Sequence, residues 1–294
     1  MVKKAVIAGG TGFIGMYLKE KYERLGYRVH IISRQSGHIQ WDDACAMKDA
    51  LDGAKLVINL AGKSVNCRYT EANKREIFNS RTETTETLGR MIEACSTAPE
   101  LWVNASTATI YRHAEDRPMT ERNGEIGRGF SVAVAKAWED SFFSFHLPDT
   151  RQVALRIAIV LGDGGVMEPY RKLVKYGLGG KQGSGRQMFS WIHIEDLYRT
   201  VRFMQHRDEL SGVFNASAPN PVTNQEWMKM LRQSMNRRGG LPASKWMLET
   251  GAAALRTETE LILKSRWAVP ERLVREGFRF RYPGLRSALA DLNN

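Results

Sequence analysis

Near the start of the chain a short apolar run, Ala5–Ala8, gives way to Gly9-Gly10-Thr11-Gly12-Phe13-Ile14-Gly15 and a helix-like pattern over Phe13–Leu25. A second apolar run follows at Arg28–Ser33. Few architectures accept glycines at this spacing between a strand and a helix. Gly9 permits a tight turn, Gly12 lets backbone approach a phosphate, and Gly15 lets the helix pack on the strand. The first helical turn then points free N–H groups and a positive dipole end beyond the loop. The pattern predicts a dinucleotide pyrophosphate there, with Gly9, Thr11, Gly12, Phe13, Ile14 and Gly15 as its contacts.

The second run closes on Ser33-Arg34, where an NAD-preferring site places Asp or Glu for the ribose 2′-hydroxyl. The nearest carboxylate is Asp42. Ser33 can donate a hydrogen bond and Arg34 can pair with a 2′-phosphate, so NADP (NADPH) is the expected cofactor. A charge-assisted bond of about 1.5–3 kcal/mol would favour it over NAD by roughly ten- to a hundredfold.

Further buried-type runs lie at Leu56–Leu60, Leu101–Ala105 and Val153–Val160. Helix-like segments separate them at Met47–Leu51, Thr70–Cys95 and Val132–Phe145. Alternation of this kind predicts an α/β fold, a doubly wound parallel sheet, with a smaller C-terminal domain. Past Leu161 the rhythm breaks into the glycine-dense stretch Gly177–Gly185, an Asn220–Pro221 turn and a helix at Asn224–Met235. The expected division is a nucleotide-binding domain over 1–220, with a cleft-lining segment at 166–187, and a mainly helical domain over 221–294.

Composition narrows the classes. The 294 residues carry 43 Lys and Arg against 32 Asp and Glu, a net charge of +11, which points to an anionic partner. Cys45, Cys67 and Cys95 are too few and too scattered for a disulfide framework, which fits a reducing cytoplasm. The histidines show no zinc spacing. The uncharged run Ala5–Leu18 after Lys3-Lys4 looks like a signal peptide, but its four glycines suit a turn better. No apolar stretch nears the roughly 20 residues that span a bilayer. A cytoplasmic protein without membrane contact is expected.

Several later segments join the glycine loop in resembling the extended short-chain dehydrogenase/reductases. The resemblance is to the atypical, epimerase-like branch with a C-terminal domain of unknown function. These segments are Val57-Ile58-Asn59-Leu60-Ala61-Gly62, Glu76–Arg81, Leu161–Gly164, Gly183–Gln187, Trp191–Leu197, Pro270–Leu273 and Gly277–Phe280. The resemblance implies that Leu60, Ala61, Glu76 and Arg81 line the cofactor and that Val160 lies near its nicotinamide end. It also implies a Ser or Thr, a Tyr and a Lys four residues later as the acid–base group. Ser106-Thr107-Ala108-Thr109-Ile110-Tyr111-Arg112 resembles the family's fifth-strand ending and puts Thr107 at the Ser/Thr position, with Arg112 in place of glycine. Ser131 stands where the Tyr belongs and Ala135 where the Lys belongs. Tyr111, or Lys136 one residue out of register, stands in as a candidate acid. Tyr17 and Lys21 form a Y-x-x-x-K, but on the glycine-loop helix, where it is a decoy.

His193 reads as a structural tie between sheet and second domain, and Arg186 as a cleft residue suited to an anion. The tail past Pro221 holds just over half of the excess positive charge, interspersed with acids as in Glu271-Arg272-Leu273-Val274-Arg275-Glu276. That concentration would suit a nucleic-acid surface, but the interspersed acids and the lack of a recognisable motif argue against a nucleic-acid partner. The expected partner is an unknown, anionic small-molecule substrate. The long helices resemble those that pair in homodimers of the superfamily. Two readings follow: an NADP(H)-binding oxidoreductase or epimerase-like protein, and a non-catalytic NADP-binding sensor or scaffold.

Overall fold

A computed structural model describes residues 2–244, 247, 258 and 260–293. Among these residues six parallel strands form one sheet in the order β2-β1-β3-β4-β5-β9. They are β1 Lys4–Ala8, β2 Arg28–Ile32, β3 Leu56–Asn59, β4 Leu101–Thr107, β5 Arg151–Ile157 and β9 Gly212–Ala216. Alternation within β1 shows why the sheet is covered on both faces. Ala5 and Ile7 pack with Leu18 and Tyr22 of α1 (Phe13–Arg24) and with Leu197 and Val201 of α6 (Ile194–Gln205). Val6 and Ala8 face the other way, against α2 (Ala44–Leu51) and α3 (Glu71–Glu93). Phe142 of α4 (Phe130–Phe143) joins that second layer.

The chain leaves β1 for β2 on one side and returns to β3 on the other, so a crevice opens at the carboxyl ends of β1 and β3. The single run expected at Val153–Val160 is two strands. β5 stays in the main sheet, while β6 (Ile159–Leu161) pairs with β8 (Trp191–His193) outside it. Ala158 is the transfer point, its amide donating to Ala216 at 3.0 Å. Sequence reading missed β9, the sixth strand of the sheet.

A second core gathers Leu161, Tyr170 of α5 (Met167–Lys175), Phe189 of β7 (Met188–Phe189), Trp191, Trp227, Leu231, Tyr282 and Leu289 from chain segments before and after β9. The helix α7 (Asn224–Ser234) begins with a reciprocal capping box between Thr223 and Glu226. Residues 264–269 lie as an extended strip across this part. Met119 N donates to Trp267 O at 2.7 Å, Arg266 N to Met188 O at 2.9 Å, and Ser190 Oγ to Arg266 O at 2.7 Å.

Candidate functional site

The glycine loop lines the crevice at the β1/β3 switch point. Gly9 has φ +70°, and a Cβ there would stand 2.7 Å from the Ala61 amide nitrogen. The turn and the strand end Leu60–Ala61 can therefore touch only without a side chain. A Cβ at Gly15 would lie 2.5 Å from Gly10 Cα, so the helix sits on the loop's own backbone. Gly12 differs, because its Cβ would meet nothing nearer than Gly9 O at 3.7 Å. What a side chain at Gly12 would obstruct lies outside the fold.

Gly12 also caps α1 without a side-chain hydrogen bond, and the first turn of the helix contains no acid. The helix starts with uncompensated N–H groups, as an anion requires. Phe13 sets its ring against the loop after β6, where a Cβ on Gly162 would come within 2.6 Å of it. Ile14, Leu60 and Val160 pack together against the first core.

Ser33 is buried, with its Oγ 3.2 Å from Thr11 Oγ1 and accepting from Gln35 N at 3.1 Å. Arg34 beside it is exposed, and among the described residues its side chain makes no hydrogen bond or ion pair. On the facing wall Asn59 is fully buried. It accepts from Ala61 N at 3.0 Å and donates to Thr85 Oγ1 at 2.9 Å and Asn104 Oδ1 at 2.7 Å, fixing the strand end.

Arg81 reaches from α3 to Gly62, whose Cβ would meet its guanidinium carbon at 3.0 Å. It donates to Ile77 O at 2.9 Å and lies 5.1 Å over the Trp138 ring, with no carboxylate in ion-pair range among the described residues. Burial holds its pKa down to about 10. A desolvated guanidinium without a counter-charge is costly, and an incoming anion relieves that cost. Glu76 pairs with Lys63 on the exposed side of α3. The open Gly12, the bare helix start, uncommitted Arg34 and unpaired Arg81 fit a dinucleotide bearing several anionic phosphates.

At the end of β4, Thr107 Oγ1 accepts from Thr109 N at 3.1 Å and so caps a short 3-10 turn, Ala108–Ile110. Its own hydroxyl proton remains available. Tyr111 is 2% exposed, with its hydroxyl donating to Asn215 Oδ1 at 2.8 Å and accepting from Arg156 Nη1 at 3.0 Å. Burial raises its pKa against the opposing pull of Arg156. That phenol belongs to a structural bracket in which Arg156 grips Glu139 at 2.8 and 2.7 Å while Ser106 donates to Glu139 at 2.6 Å. Lys136 points away from the sheet as an exposed residue, and Ala135 is buried. Arg112 needs no unusual backbone, since Asn236 alone among the described non-glycine residues has positive φ.

Around Ser131, which stands at the family's Tyr position, gather Tyr69, Glu260, Lys264 and Arg266, which sequence reading does not single out. Ser131 donates to Glu260 Oε2 at 2.9 Å, and the Tyr69 phenol lies near both of them. Lys264 Nζ donates to Thr109 O at 2.7 Å and lies 3.7 Å from Glu260 Oε1. Arg266 Nε donates to Thr109 Oγ1 at 3.0 Å. Burial raises the Tyr69 pKa, opposed by Ser131 and aided by Glu260, and burial lowers that of Lys264 against Glu260. No local spacing joins these residues, because they come from three distant parts of the chain.

Elsewhere Tyr17 and Lys21 both clamp Glu195, at 2.6 and 2.7 Å, a structural use of the decoy pair. His193 is buried and caps α6, accepting from Glu195 N at 3.2 Å, with Asp291 3.3 Å from its Nε2. Burial outweighs Asp291 and lowers its pKa to about 4, so the imidazole is neutral at pH 7. Arg186 is exposed, 3.7 Å from Glu115. Among the described residues no helix is long and apolar enough to cross a membrane.

Two family patterns cover most of this chain. Residues 5–217 match the NAD dependent epimerase/dehydratase family, and residues 243–292 match a domain of unknown function, DUF1731. An epimerase family protein of Bacillus subtilis, YfhF, is 32% identical over 97% of this chain and 96% of its own length. The human epimerase family protein SDR39U1 is 30% identical over 98% of this chain and 99% of its own. A crystal structure of the human protein with NADPH superposes with a TM-score of 0.90 at 29% identity, covering 99% of both chains. A nucleoside-diphosphate sugar epimerase from Corynebacterium glutamicum gives 0.77 at 26% identity, over 100% of this chain and 58% of that one.

Proposed function

The chain belongs to the NAD dependent epimerase/dehydratase family, and from that premise we propose that it binds NADPH. On this reading it is an oxidoreductase or epimerase-like protein acting on a small, anionic substrate. The observation that carries this is the bare start of α1 at Gly12, open to the outside and flanked by uncommitted Arg34. Crystallisation of the human relative with NADPH supports it.

In this reading the loop amides at Gly9–Gly15 take the pyrophosphate, and Ser33 with Arg34 takes the 2′-phosphate. Leu60, Ala61 and Val160 flank the dinucleotide, and Arg81 lends its charge to the same crevice. Thr107, with its free hydroxyl proton, holds the substrate oxygen. Bound NADPH would supply the hydride for such chemistry.

Fluorescence titration of NADPH and NADH against the wild type and Arg34→Ala tests the cofactor assignment. The variant should lose roughly ten- to a hundredfold in NADPH affinity, with NADH little changed. Equal losses for both would overturn it. Ser131 and Ala135 on α4 favour the second reading, a sensor that binds NADP without turning over. Tight NADPH binding without NADPH oxidation across a panel of carbonyl compounds would move the assignment to that reading.

A further inference from the structure

At the end of β4, charged side chains arrive from the last part of the chain. Lys264 spends its shortest contact on a neutral acceptor, the Thr109 carbonyl at 2.7 Å, and stands off from Glu260 at 3.7 Å. Here the other oxygen of Glu260 is engaged by Ser131 at 2.9 Å. Thr109 is held on both sides, its carbonyl by Lys264 and its hydroxyl by Arg266 at 3.0 Å, while its amide is bound by Thr107. Thr107, Thr109, Tyr69, Ser131 and Lys264 are each half-buried, as the lining of a cleft would be.

The placement is rigid. Ser265 N donates to His113 Nδ1 at 3.1 Å, Met188 N to Ser265 Oγ at 2.8 Å, and Ala268 N to Ser190 Oγ at 2.8 Å. These bonds pin the strip immediately after Lys264 and on either side of Arg266. Ser131 is thus hydrogen-bonded to Glu260, and Lys264 stands 3.7 Å from that carboxylate, beside the turn that Thr107 caps.

We propose that Lys264 is the catalytic proton donor of this site, serving a carbonyl substrate whose oxygen Thr107 holds, with the Glu260 carboxylate, itself held by Ser131, as the group that returns the proton. The proposal rests on the NADPH-dependent reading above. In the step, the carbonyl carbon gains an electron pair from the reduced dinucleotide as hydride, and its oxygen gains a proton from the Lys264 ammonium. The C=O bond becomes an alcohol, and the neutral amine left behind recovers a proton from solvent through Glu260. Burial lowers the lysine pKa, which brings the ammonium closer to the acidity such a step needs.

Pulse acetylation of the intact protein with acetic anhydride, read by peptide mass spectrometry from pH 6 to 11, tests this without a known substrate. Lys264 should gain reactivity at lower pH than the exposed Lys136, and saturating NADPH should slow its labelling at least tenfold. Glu260→Gln should move the Lys264 midpoint further down while leaving that of Lys136 in place. A Lys264 profile that follows Lys136, or labelling unmoved by NADPH that demonstrably binds, would overturn the assignment. Lys264→Arg keeps the charge but replaces the ammonium with a far weaker acid. Its NADPH affinity should stay within twofold of wild type, and a larger loss would make Lys264 a cofactor anchor and overturn its role as donor. Failure of NADPH to bind the wild type would defeat the cofactor reading instead, while the lysine midpoints remain measurable.

Discussion

Along the carboxyl edge of the sheet, the stretch beside β1 and β3 is built from backbone, whereas the stretch beside β4 is built from side chains. At the first, Gly9, Gly12 and Gly15 act by lacking a Cβ, and the helix start acts through its amides. At the second, Tyr69, Ser131, Glu260 and Lys264 converge from three remote segments. A backbone site is written in consecutive residues and tolerates little change at its glycines. A side-chain site depends on long-range packing, so its residues carry no common spacing.

The largest expected effect breaks the bracket beneath β4. Arg156→Ala leaves the Glu139 carboxylate buried and unpaired and strips a donor from Tyr111. It should cost about 3–5 kcal/mol in urea unfolding. If the two stretches are independent, NADPH affinity of the folded fraction stays near wild type. A matching loss of affinity would show that they are one unit.

The next largest concerns pH and the tie to the C-terminal helix. His193 has a folded pKa of about 4, below its ordinary 6.5, so the fold favours the neutral ring. That contribution is complete above pH 6.5 and is lost as the pH falls through about 4, because the unfolded chain takes up the proton first. The loss should reach about 3 kcal/mol. His193→Asn keeps an acceptor for the Glu195 amide and should flatten the wild-type decline between pH 7 and 4. An unchanged slope would reject this account.

The smallest stability effects sharpen the contrast within the glycine loop. Gly15→Ala drives a Cβ into Gly10 backbone and should cost about 1–3 kcal/mol along with NADPH binding. Gly12→Ala meets only Gly9 O at 3.7 Å, so the melt should shift by about 1 kcal/mol or less. NADPH binding should still fall sharply. Equal melts and equal binding for the two variants would show that Gly12 faces no ligand.

Legibility followed the same division. The runs at Ala5–Ala8 and Leu56–Leu60 become β1 and β3 because buried parallel strands read as continuous apolar runs, while Arg28–Ser33 becomes the edge strand β2, buried only from Ile31 onward. The Val153–Val160 run hid a change of sheet at Ala158, since an apolar run does not record which neighbour each half pairs with. Gly212–Ala216 offers only Val213-Phe214 as consecutive large apolar residues, between Gly212 and Asn215, so no apolar run marks it. At the candidate site, Gly9–Gly15, Ser33 and Arg34 followed from local rules, while Arg81 was raised only by family resemblance. Lys264 sits among mixed charges in sequence, and its partner Thr109 becomes visible only once the strip over residues 264–269 is laid down.

That strip also sets an order in time. The residues of the crevice at β1 and β3 are synthesised by position 81, whereas Lys264 and Arg266 belong to the last part of the chain to emerge. At translation rates of about 5–20 residues per second, roughly ten to forty seconds separate the two on the ribosome. For that interval a nascent molecule holds the glycine loop, Arg34 and Arg81 and lacks the side chains that crowd around Thr109.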